Sequence, residues 1–324
     1  MMRCNWGVLG PGFIATQATI PAMQQVPRAY VLAIASSDEQ RAQTASLRFG
    51  IERAYHSYQA LLDDPDINAV YIALPNHLHQ EWTIRAAQAG KHVLCEKPLA
   101  MSAAECEGML AACRQANVLL MEAAMYRFHP RMLYLKQVLT AGELGDIRFL
   151  HAAFSFPFDA PGNYRAYPQF GGGALLDIGS YCVNAARWLI GSEPYAVQSV
   201  ISYGREAIDL STSAILYFEE GTSAHIQCSF AAAEHQVIEV VGTGCAITVP
   251  LAFTAWRDDM TILLIQRGPA FEQKEFAPAD PYQLMVAHFT ECVLERKPLL
   301  YPPEDGRATL RVLDMLRVGA LNNH

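Results

Sequence analysis

The segment that decides the fold is GPGFIA at residues 10–15, which follows an apolar stretch at residues 5–9 and leads into a helical pattern. In this G-x-G-x-x-A pattern Gly10 permits a tight turn, Gly12 lets the backbone approach a pyrophosphate, and Ala15 allows the helix to pack closely. The start of that helix offers unpaired N–H groups to an anion. We interpret the segment as the phosphate-binding turn of a dinucleotide-binding domain; a plain glycine turn is the alternative.

The first third of the chain alternates short apolar runs with helical patterns, which is typical of β-α units around a parallel sheet. The runs have the length and apolar character of buried parallel strands. Strands are predicted at residues 5–9, 31–35, 69–73, 92–95 and 118–121, and helices at 38–48, 78–88 and 102–115. Residues 1–122 are therefore predicted to form a Rossmann-type α/β domain with a doubly wound parallel sheet.

From about residue 145 the pattern changes to longer alternating segments, which favour an antiparallel sheet. Strands are predicted at residues 148–156, 196–203, 212–218, 222–229 and 236–241, and helices at 174–190, 282–295 and 305–318. We predict that residues 123–324 form an α+β domain with a large, mostly antiparallel open sheet. The helix at 305–318 is a candidate to pack back on the first domain.

Composition and charge exclude several classes of protein. The 324 residues are 52% hydrophobic and 17% charged, which suits two globular domains that each bury a core. The formal net charge of -8 gives no reason to bind nucleic acid or anionic lipid, since both are bound through clustered positive charge. No stretch approaches the ~20 uninterrupted apolar residues of a membrane span, and the N-terminus lacks the pattern of a secretion signal. We expect a soluble, cytoplasmic protein whose partners include neither nucleic acid nor membrane.

The eight cysteines are scattered and form no C-x-x-C pair. Most lie inside apolar or helical segments. We expect reduced, buried thiols and no metal site.

The end of the second predicted strand bears on the choice of cofactor. NAD enzymes of this type usually place an acidic residue there, which holds the ribose 2′-hydroxyl and would repel a 2′-phosphate. This chain has Ser36 and Ser37 instead, and Arg41 follows one turn into the next helix. Two hydroxyls and a guanidinium suit a 2′-phosphate, so NADP(H) is favoured over NAD(H). The alternative is that Arg41 is a solvated helix residue and Asp38 does the work of the acidic residue.

Further motifs follow other predicted strands, at the carboxyl ends where ligands bind in open parallel sheets. They are LPNHLH at residues 74–79, which fits P-N-x-x-H, and Glu96-Lys97-Pro98, which fits E-K-P. With the glycine turn, they make the chain resemble the Gfo/Idh/MocA family of oxidoreductases over nearly its whole length. MYRFHP at 125–130 and GGGALLDIGSY at 171–181 resemble the subset with dimeric dihydrodiol dehydrogenase, NADP-dependent xylose dehydrogenase and glucose-fructose oxidoreductase. Many other members have histidine where this chain has Tyr181.

The resemblance implies hydride transfer between nicotinamide and a carbinol carbon, which requires a proton to move at the oxygen. Tyr181 is the candidate residue to accept or donate that proton. A free phenol has a pKa near ~10, and an ammonium such as Lys97 would lower it and hydrogen-bond the substrate oxygen. Asp177 lies four residues before Tyr181, so the two should share one face of a helix. The alternative is that Asp177 only complements the helix dipole and Tyr181 only packs.

The remaining predicted contacts come from residues around these motifs. We interpret His79 as a structural residue on the cofactor side, and Arg127 as a contact to the carboxamide or the substrate, or as an ordinary ion pair. The predicted cofactor-binding residues are Gly10, Gly12, Phe13, Ile14, Ser36, Ser37, Arg41, Leu74, Pro75, Asn76, His79, Glu96, Lys97 and Arg127. The predicted substrate-binding residues are Lys97, Asp177 and Tyr181, with Tyr164 and Arg165 from a turn-rich loop at 159–165 that would cover the substrate or be ordinary surface.

We therefore predict an NAD(P)-dependent oxidoreductase acting on a sugar or related polyhydroxy compound. The enzymatic alternatives are a trans-dihydrodiol dehydrogenase or dicarbonyl reductase, and a keto-sugar reductase. A different class is a non-catalytic dinucleotide-binding redox sensor, which would be expected to lack Lys97 or Tyr181. An open sheet leaves a face to be covered, so we also predict a homodimer or homotetramer through the C-terminal sheet.

Overall fold

The computed structural model describes residues 2–159, 162–255 and 257–321. It divides into two compact units. The first comprises Met1–Met125 and Asp280–Arg307, and the second Tyr126–Ala279 and Ala308–His324. The first unit is thus built from two separate segments of the chain.

The first unit is built on a parallel sheet. Its strands are β1 (Cys4–Leu9), β2 (Ala29–Ala35), β3 (Arg53–Tyr55), β4 (Ala69–Ile72), β5 (His92–Cys95) and β6 (Leu120–Glu122). They lie in the order β3-β2-β1-β4-β5-β6, and every pairing is parallel. The direction of strand progression reverses between β1 and β4, which opens a crevice at their carboxyl ends. The predicted doubly wound parallel sheet is confirmed.

The second unit is built on a larger mixed sheet. Its strands are β7 (Ile147–Ser155), β8 (Ala196–Tyr203), β9 (Asp209–Tyr217), β10 (Ser223–Ser229), β11 (His235–Gly242), β12 (Ala246–Pro250), β13 (Thr261–Arg267), β14 (Ala270–Phe276) and β15 (Ala320–Leu321). Their order is β14-β13-β12-β11-β7-β10-β9-β8-β15. Neighbours are antiparallel except β7 with β10 and β8 with β15. The predicted large, mostly antiparallel sheet is confirmed.

The helices connect or cover these sheets. They are α1 (Ile20–Gln24), α2 (Glu39–Phe49), α3 (Tyr58–Leu62), α4 (His79–Gln88), α5 (Ala103–Ala116), α6 (Pro130–Thr140), α7 (Ser180–Ile190), α8 (Pro281–Glu295) and α9 (Pro303–Val318). Two of them begin with a wider π-helical turn, Ala15–Thr19 before α1 and Leu175–Gly179 before α7. Ser102 starts α5 as the sequence predicts, because its hydroxyl accepts a hydrogen bond from the Glu105 N–H at 3.2 Å.

The second segment of the first unit completes its core. Trp6 on β1 and Phe289 on α8 are fully buried, and their ring centroids lie 5.5 Å apart. The Trp6 Nε1–H also donates to the hydroxyl of Thr290 at 3.3 Å. Strand β1 therefore packs against a helix that follows it by more than 270 residues.

The two faces of the second sheet differ in exposure. Along β7, Leu150, Ala152 and Phe154 are buried, and α7 packs against β7 and β10. The opposite face exposes large apolar side chains, among them Phe149 on β7 at 41% and Leu264 on β13 at 39%. The cross-strand register places these two on the same side of the sheet. This open apolar face is available for contact with another molecule.

Arg131 at the start of α6 is a buried cation that holds the loop after β12. Its Nη1 donates to the carbonyl of Pro250 and its Nη2 to that of Leu251, each at 2.8 Å. Burial lowers the pKa of the guanidinium to about 10, so it is still charged at neutral pH. The loop that it holds leads directly to Phe253, which packs against residues of the site described below.

Arg131→Met should destabilise the protein, because it leaves two partly buried carbonyl groups without their charged donor. We expect the free energy of unfolding to fall by about 2–4 kcal/mol in urea denaturation followed by circular dichroism. Arg148→Met is the matched control, since Arg148 is half exposed and pairs with Asp146 at 3.0 Å on the surface; we expect a change below about 0.5 kcal/mol there. Equal small losses in both variants would show that Arg131 is not needed to hold the loop.

Candidate active site

The glycine turn after β1 lies against the end of β4. Gly10 has a φ of 93°, and a Cβ there would lie 2.9 Å from the carbonyl oxygen of Ala73. A Cβ on Gly12 would lie 3.1 Å from the same oxygen. The Gly10 N–H donates to the carbonyl of Ala35 at the end of β2, at 2.9 Å. The turn is thus held among the carboxyl ends of three strands, where the sequence predicts it.

The helix after this turn begins at the crevice. Ala15 is fully buried, as the predicted close packing requires, and the Thr16 N–H donates to the carbonyl of Gly12 at 3.0 Å. Phe13 is 72% exposed in the first turn, and Ile14 is half-buried. The start of this helix, where cofactor contacts are predicted, therefore offers backbone N–H groups and the exposed ring of Phe13.

The residues that follow β2 place an arginine of α2, Arg41, close to the glycine turn. Ser36 is buried and accepts from the Asp38 N–H at 3.2 Å, whereas Ser37 is exposed. The Asp38 carboxylate caps α2 by accepting from the Arg41 N–H at 3.1 Å. The Arg41 guanidinium reaches back and donates to the carbonyl of Pro11 in the glycine turn, at 3.3 Å. A positive charge thus lies between the end of β2 and the turn, which is where a ribose 2′-phosphate would bind.

His79 joins the turns that follow β4 and β5. Its ring is fully buried, with Nε2 2.8 Å from the carbonyl oxygen of Leu74 and Nδ1 2.9 Å from that of Pro98. Burial lowers the pKa of this imidazole, although the two carbonyls oppose the shift. Pro75 and Asn76 complete the turn after β4, and Asn76 is 2% exposed. The contacts of His79 are structural, and they hold the residue after Lys97.

Glu96 fixes the other side of Lys97. Its Oε2 accepts from the Lys97 N–H at 3.2 Å, and its Oε1 accepts from the Tyr71 hydroxyl at 2.5 Å. Burial and the Glu96 carboxylate raise the pKa of Tyr71 well above its usual range. The Thr19 hydroxyl donates to Tyr71 at 3.0 Å, so the helix after the glycine turn is tied to the E-K-P turn. The Lys97 side chain itself is half-buried.

In the second unit, Arg165 brings together several predicted site residues. Its Nε donates to the Asp177 carboxylate at 2.8 Å, and the Asp177 side chain is only 4% exposed. Burial lowers the pKa of Arg165, but Asp177 outweighs this and the net pKa is raised, with smaller contributions from Tyr164 and Tyr181. Because Asp177 lies in the π-helical turn, its helix is wider there than the regular α-helix that the sequence predicts.

Tyr181 lies in a cluster of aromatic rings. The residue is 8% exposed, and its ring centroid is 5.8 Å from that of Tyr126, 5.6 Å from Phe154 and 5.4 Å from Phe253. The Tyr126 hydroxyl donates to Asn184 Oδ1 at 2.6 Å. Sequence reasoning missed Phe154 and Phe253, since an aromatic residue on a strand or loop has no local pattern that marks it as part of a site.

Arg127 and the predicted covering loop also belong to the second unit. Arg127 is 4% exposed, and its guanidinium lies 4.7 Å from the ring centroid of Trp188. In the predicted covering loop at 159–165, Ala160 and Pro161 lie outside the described residues. The described end of this loop is ordered by Asn163, whose side-chain oxygen accepts from the Arg165 N–H at 3.1 Å.

The predicted residues thus form two sets, one at the strand ends of the first unit and one around Arg165 in the second. All eight cysteines are buried and free. In the described part of the chain, no group of three or more His, Cys, Asp or Glu side chains is placed to hold a metal ion. Of the helices within residues 2–159, 162–255 and 257–321, none has the length and apolarity to span a membrane.

Known proteins resemble the chain in both units. Residues 4–124 match the model of an oxidoreductase family with an NAD-binding Rossmann fold, and residues 132–248 match that of the Gfo/Idh/MocA C-terminal domain. D-xylose 1-dehydrogenase (NADP(+)) 2 of Haloferax volcanii is 36% identical over 96% of this chain and 95% of its own. Trans-1,2-dihydrobenzene-1,2-diol dehydrogenase of Mus musculus is 34% identical over 75% of this chain and 73% of its own.

A solved structure extends the likeness to the whole fold. A 3-ketoreductase from Actinomadura kijaniata in complex with NADP and TDP-benzene is 33% identical, with a TM-score of 0.93 over 98% of each chain. Variants of that reductase with one tyrosine or one lysine replaced have also been solved. Matches to both family models and to relatives of more than 30% identity over most of the sequence show that this chain belongs to the Gfo/Idh/MocA family of oxidoreductases.

Proposed function

We propose that this chain is an NADP(H)-dependent oxidoreductase that interconverts a carbinol and a carbonyl group of a sugar or related polyhydroxy compound. The observation that carries the proposal is the Tyr181 phenol, held by three aromatic rings beside the Arg165–Asp177 ion pair. A rigid phenol next to an ion pair combines a proton-transfer group with partners for hydroxyl groups. The relatives named for a xylose and for a dihydrodiol support a carbinol substrate.

Hydride transfer would involve the cofactor, and proton transfer and substrate binding would involve side chains of the protein. When bound, the dinucleotide supplies the acceptor or donor of the hydride. In the direction of oxidation Tyr181, acting as the phenolate, takes the proton of the carbinol oxygen and becomes the neutral phenol, and Lys97 donates a hydrogen bond to that oxygen. Asp177 accepts from a neighbouring substrate hydroxyl, and Arg165 keeps its carboxylate in place.

The strand ends of the first unit fit NADP(H). A Cβ on Gly10 would clash with the Ala73 carbonyl and one on Gly12 would crowd it, so with glycines there the backbone N–H groups of the turn and the following helix would face a pyrophosphate. Arg41 would hold the 2′-phosphate, and Ser37 is exposed beside it. The Asp38 carboxylate is occupied as the cap of α2, which disfavours its use as a ribose ligand. A dehydrogenase named for NADP(+) and a reductase solved with NADP are among the relatives.

Reduction of a keto-sugar carried by a nucleotide is a second candidate. The observation that favours it is the structural similarity to the 3-ketoreductase, with a TM-score of 0.93. That reductase was solved with TDP-benzene. The same proton-transfer and cofactor residues would serve this reaction. The two candidates differ in whether a free sugar or a nucleotide-linked one is used.

We further propose that the chain forms a homodimer or homotetramer through the open face of the second sheet, and acts in the cytoplasm. The exposed Phe149 and Leu264 on that face support an apolar contact with a second copy.

Tyr181→Phe and Lys97→Ala should each lower kcat by about 10²–10⁴-fold, because each removes a group that acts at the substrate oxygen. Turnover would be followed by nicotinamide absorbance against free aldoses, inositols, trans-diols and a nucleotide-linked keto-sugar. Binding of NADPH, followed by its fluorescence, should be retained in Tyr181→Phe. Tyr195→Phe is the control and should keep full activity, since Tyr195 is 63% exposed. Full activity of Tyr181→Phe with every active substrate would disprove its role.

Arg41→Ala should change the cofactor preference. We expect KM for NADP+ to rise about 10- to 100-fold with little change for NAD+, because only a 2′-phosphate makes the charge-assisted hydrogen bonds. Arg48→Ala on the same helix is the control, since Arg48 is exposed and faces Phe49. An unchanged ratio of the two KM values would mean that Arg41 is an ordinary solvated residue.

Phe149→Glu should weaken the assembly, because it places a charge in the apolar face of the sheet. Multi-angle light scattering should give the mass of two or four chains for the wild type and a lower mass for the variant. Glu219→Gln, an exposed change in the turn after β9, should leave the mass unaltered. A wild-type mass of one chain would refute the proposed oligomer.

A further inference from the structure

The helix that carries Asp177 and Tyr181 starts directly after three glycines, each of which has a reason to lack a side chain. Gly171 has a φ of 76°, in the left-handed region. A Cβ on Gly172 would lie 2.4 Å from the carbonyl oxygen of Arg165, and one on Gly173 would lie 1.9 Å from a carboxylate oxygen of Asp209. The run of glycines thus lets the helix begin between a loop and strand β9.

Asp209 occupies the space that the third glycine leaves open. Its Oδ2 accepts from the Leu175 N–H at 2.5 Å, and the Ala174 N–H also bonds to the carboxyl group. N–H groups in the first turn of a helix have no acceptor within the helix, and the helix dipole favours a negative charge there. Asp209, which lies on a strand more than 30 residues later, therefore serves as the cap of this helix.

The same turn is held from its other side by Arg165. The Gly173 N–H donates to the Arg165 carbonyl at 3.0 Å, and the Arg165 side chain pairs with Asp177 at 2.8 Å. The first turn of the helix is therefore fixed between β9 and the loop that contains Arg165. A shift of this turn would move Asp177 directly and Tyr181 one turn later.

We propose that Asp209 is a positioning residue for the reaction, whose ionised carboxylate sets the start of the helix and thereby the places of Asp177 and Tyr181. This inference rests on the proposed function for its kinetic consequence, but the helix anchor itself can be measured without a substrate. Asp209 does not touch the reacting atoms in this scheme.

The protonation state of Asp209 should therefore control the anchor. Burial raises the pKa of this carboxyl to about 6, while the bonds from the Leu175 and Ala174 N–H groups and the charge of Arg317 oppose the rise. Among the described residues, the charged or titratable groups facing it are Arg317 and Cys228, and burial raises the pKa of the Cys228 thiol so that it stays neutral. Above about pH 6 the carboxylate accepts charge-assisted hydrogen bonds, and below it a neutral carboxyl accepts weaker ones.

Asp209→Asn tests the inference because the amide keeps the size and one acceptor oxygen but never carries charge. At neutral pH we expect kcat to fall about 5- to 20-fold, with KM for NADP+ unchanged. The fall of the wild-type kcat at acid pH, with its midpoint at about pH 6, should disappear in the variant. Asp280→Asn is the matched control, since Asp280 caps α8 by accepting from the Tyr282 N–H at 2.9 Å; it should keep the wild-type profile.

Amide hydrogen exchange supplies the readout that is independent of activity. In the wild type without substrate, protection factors for residues 174–178 should rise as the pH increases through about 6, and in Asp209→Asn they should be low throughout. If this pattern holds while no substrate is turned over, the proposed function fails and the anchor stands. Protection that is independent of pH in the wild type, or a fall of kcat at acid pH retained in Asp209→Asn, would overturn the inference. The wild-type measurement remains decisive if the variant does not fold.

Discussion

The close approach of two backbones at the ends of β1 and β4 is the constraint on which the first unit depends. A Cβ on Gly10 would lie 2.9 Å from the Ala73 carbonyl oxygen and one on Gly12 3.1 Å from it, so glycines at both positions allow the turn to lie close to the end of β4 and the next helix to start at the crevice. That helix carries Thr19, which is linked through Tyr71 to Glu96 and so to the backbone of Lys97. One steric requirement thus connects the cofactor turn with a lysine on a neighbouring strand end.

Much of the architecture could be predicted from the sequence, because buried parallel strands leave uninterrupted apolar runs and the glycine turn has a specific spacing. Strands β12 and β13 were not predicted although they contain apolar runs, and neither were β3, β14 and the two-residue β15, which lack such a signal. Strand β3 has three residues, none of them buried, and β14 is exposed along most of its length. Edge strands of this kind are held by their neighbours rather than by their own patterning. The π-helical turn at Asp177 was also missed, since a helix that inserts one extra residue keeps the same local composition.

The site shows the same division. Lys97, Asp177 and Tyr181 could be proposed as site residues because short motifs carry them, whereas supporting groups from distant parts of the chain could not be predicted. Arg131 bonds to carbonyls about 120 residues later, and Asp209 caps a helix that begins 34 residues earlier. Such contacts depend on which strands become neighbours, and local periodicity contains no record of that. From sequence alone, an aspartate on a strand cannot be distinguished from an ordinary surface residue. Its role becomes evident only from the structure, in which Asp209 lies next to Gly173.

The division of the first unit between two chain segments bears on how the protein is made. Trp6 on β1 needs Phe289 and Thr290 on α8 to complete its surroundings, so residues 1–125 alone would expose an apolar surface that the native protein covers. During synthesis the ribosome must therefore add more than 150 further residues, including most of the second sheet, before the first core can close. Over that interval the nascent parallel sheet has an incomplete core, so we expect chaperones to bind it. For the same reason, an isolated N-terminal fragment would be a poor choice for expression.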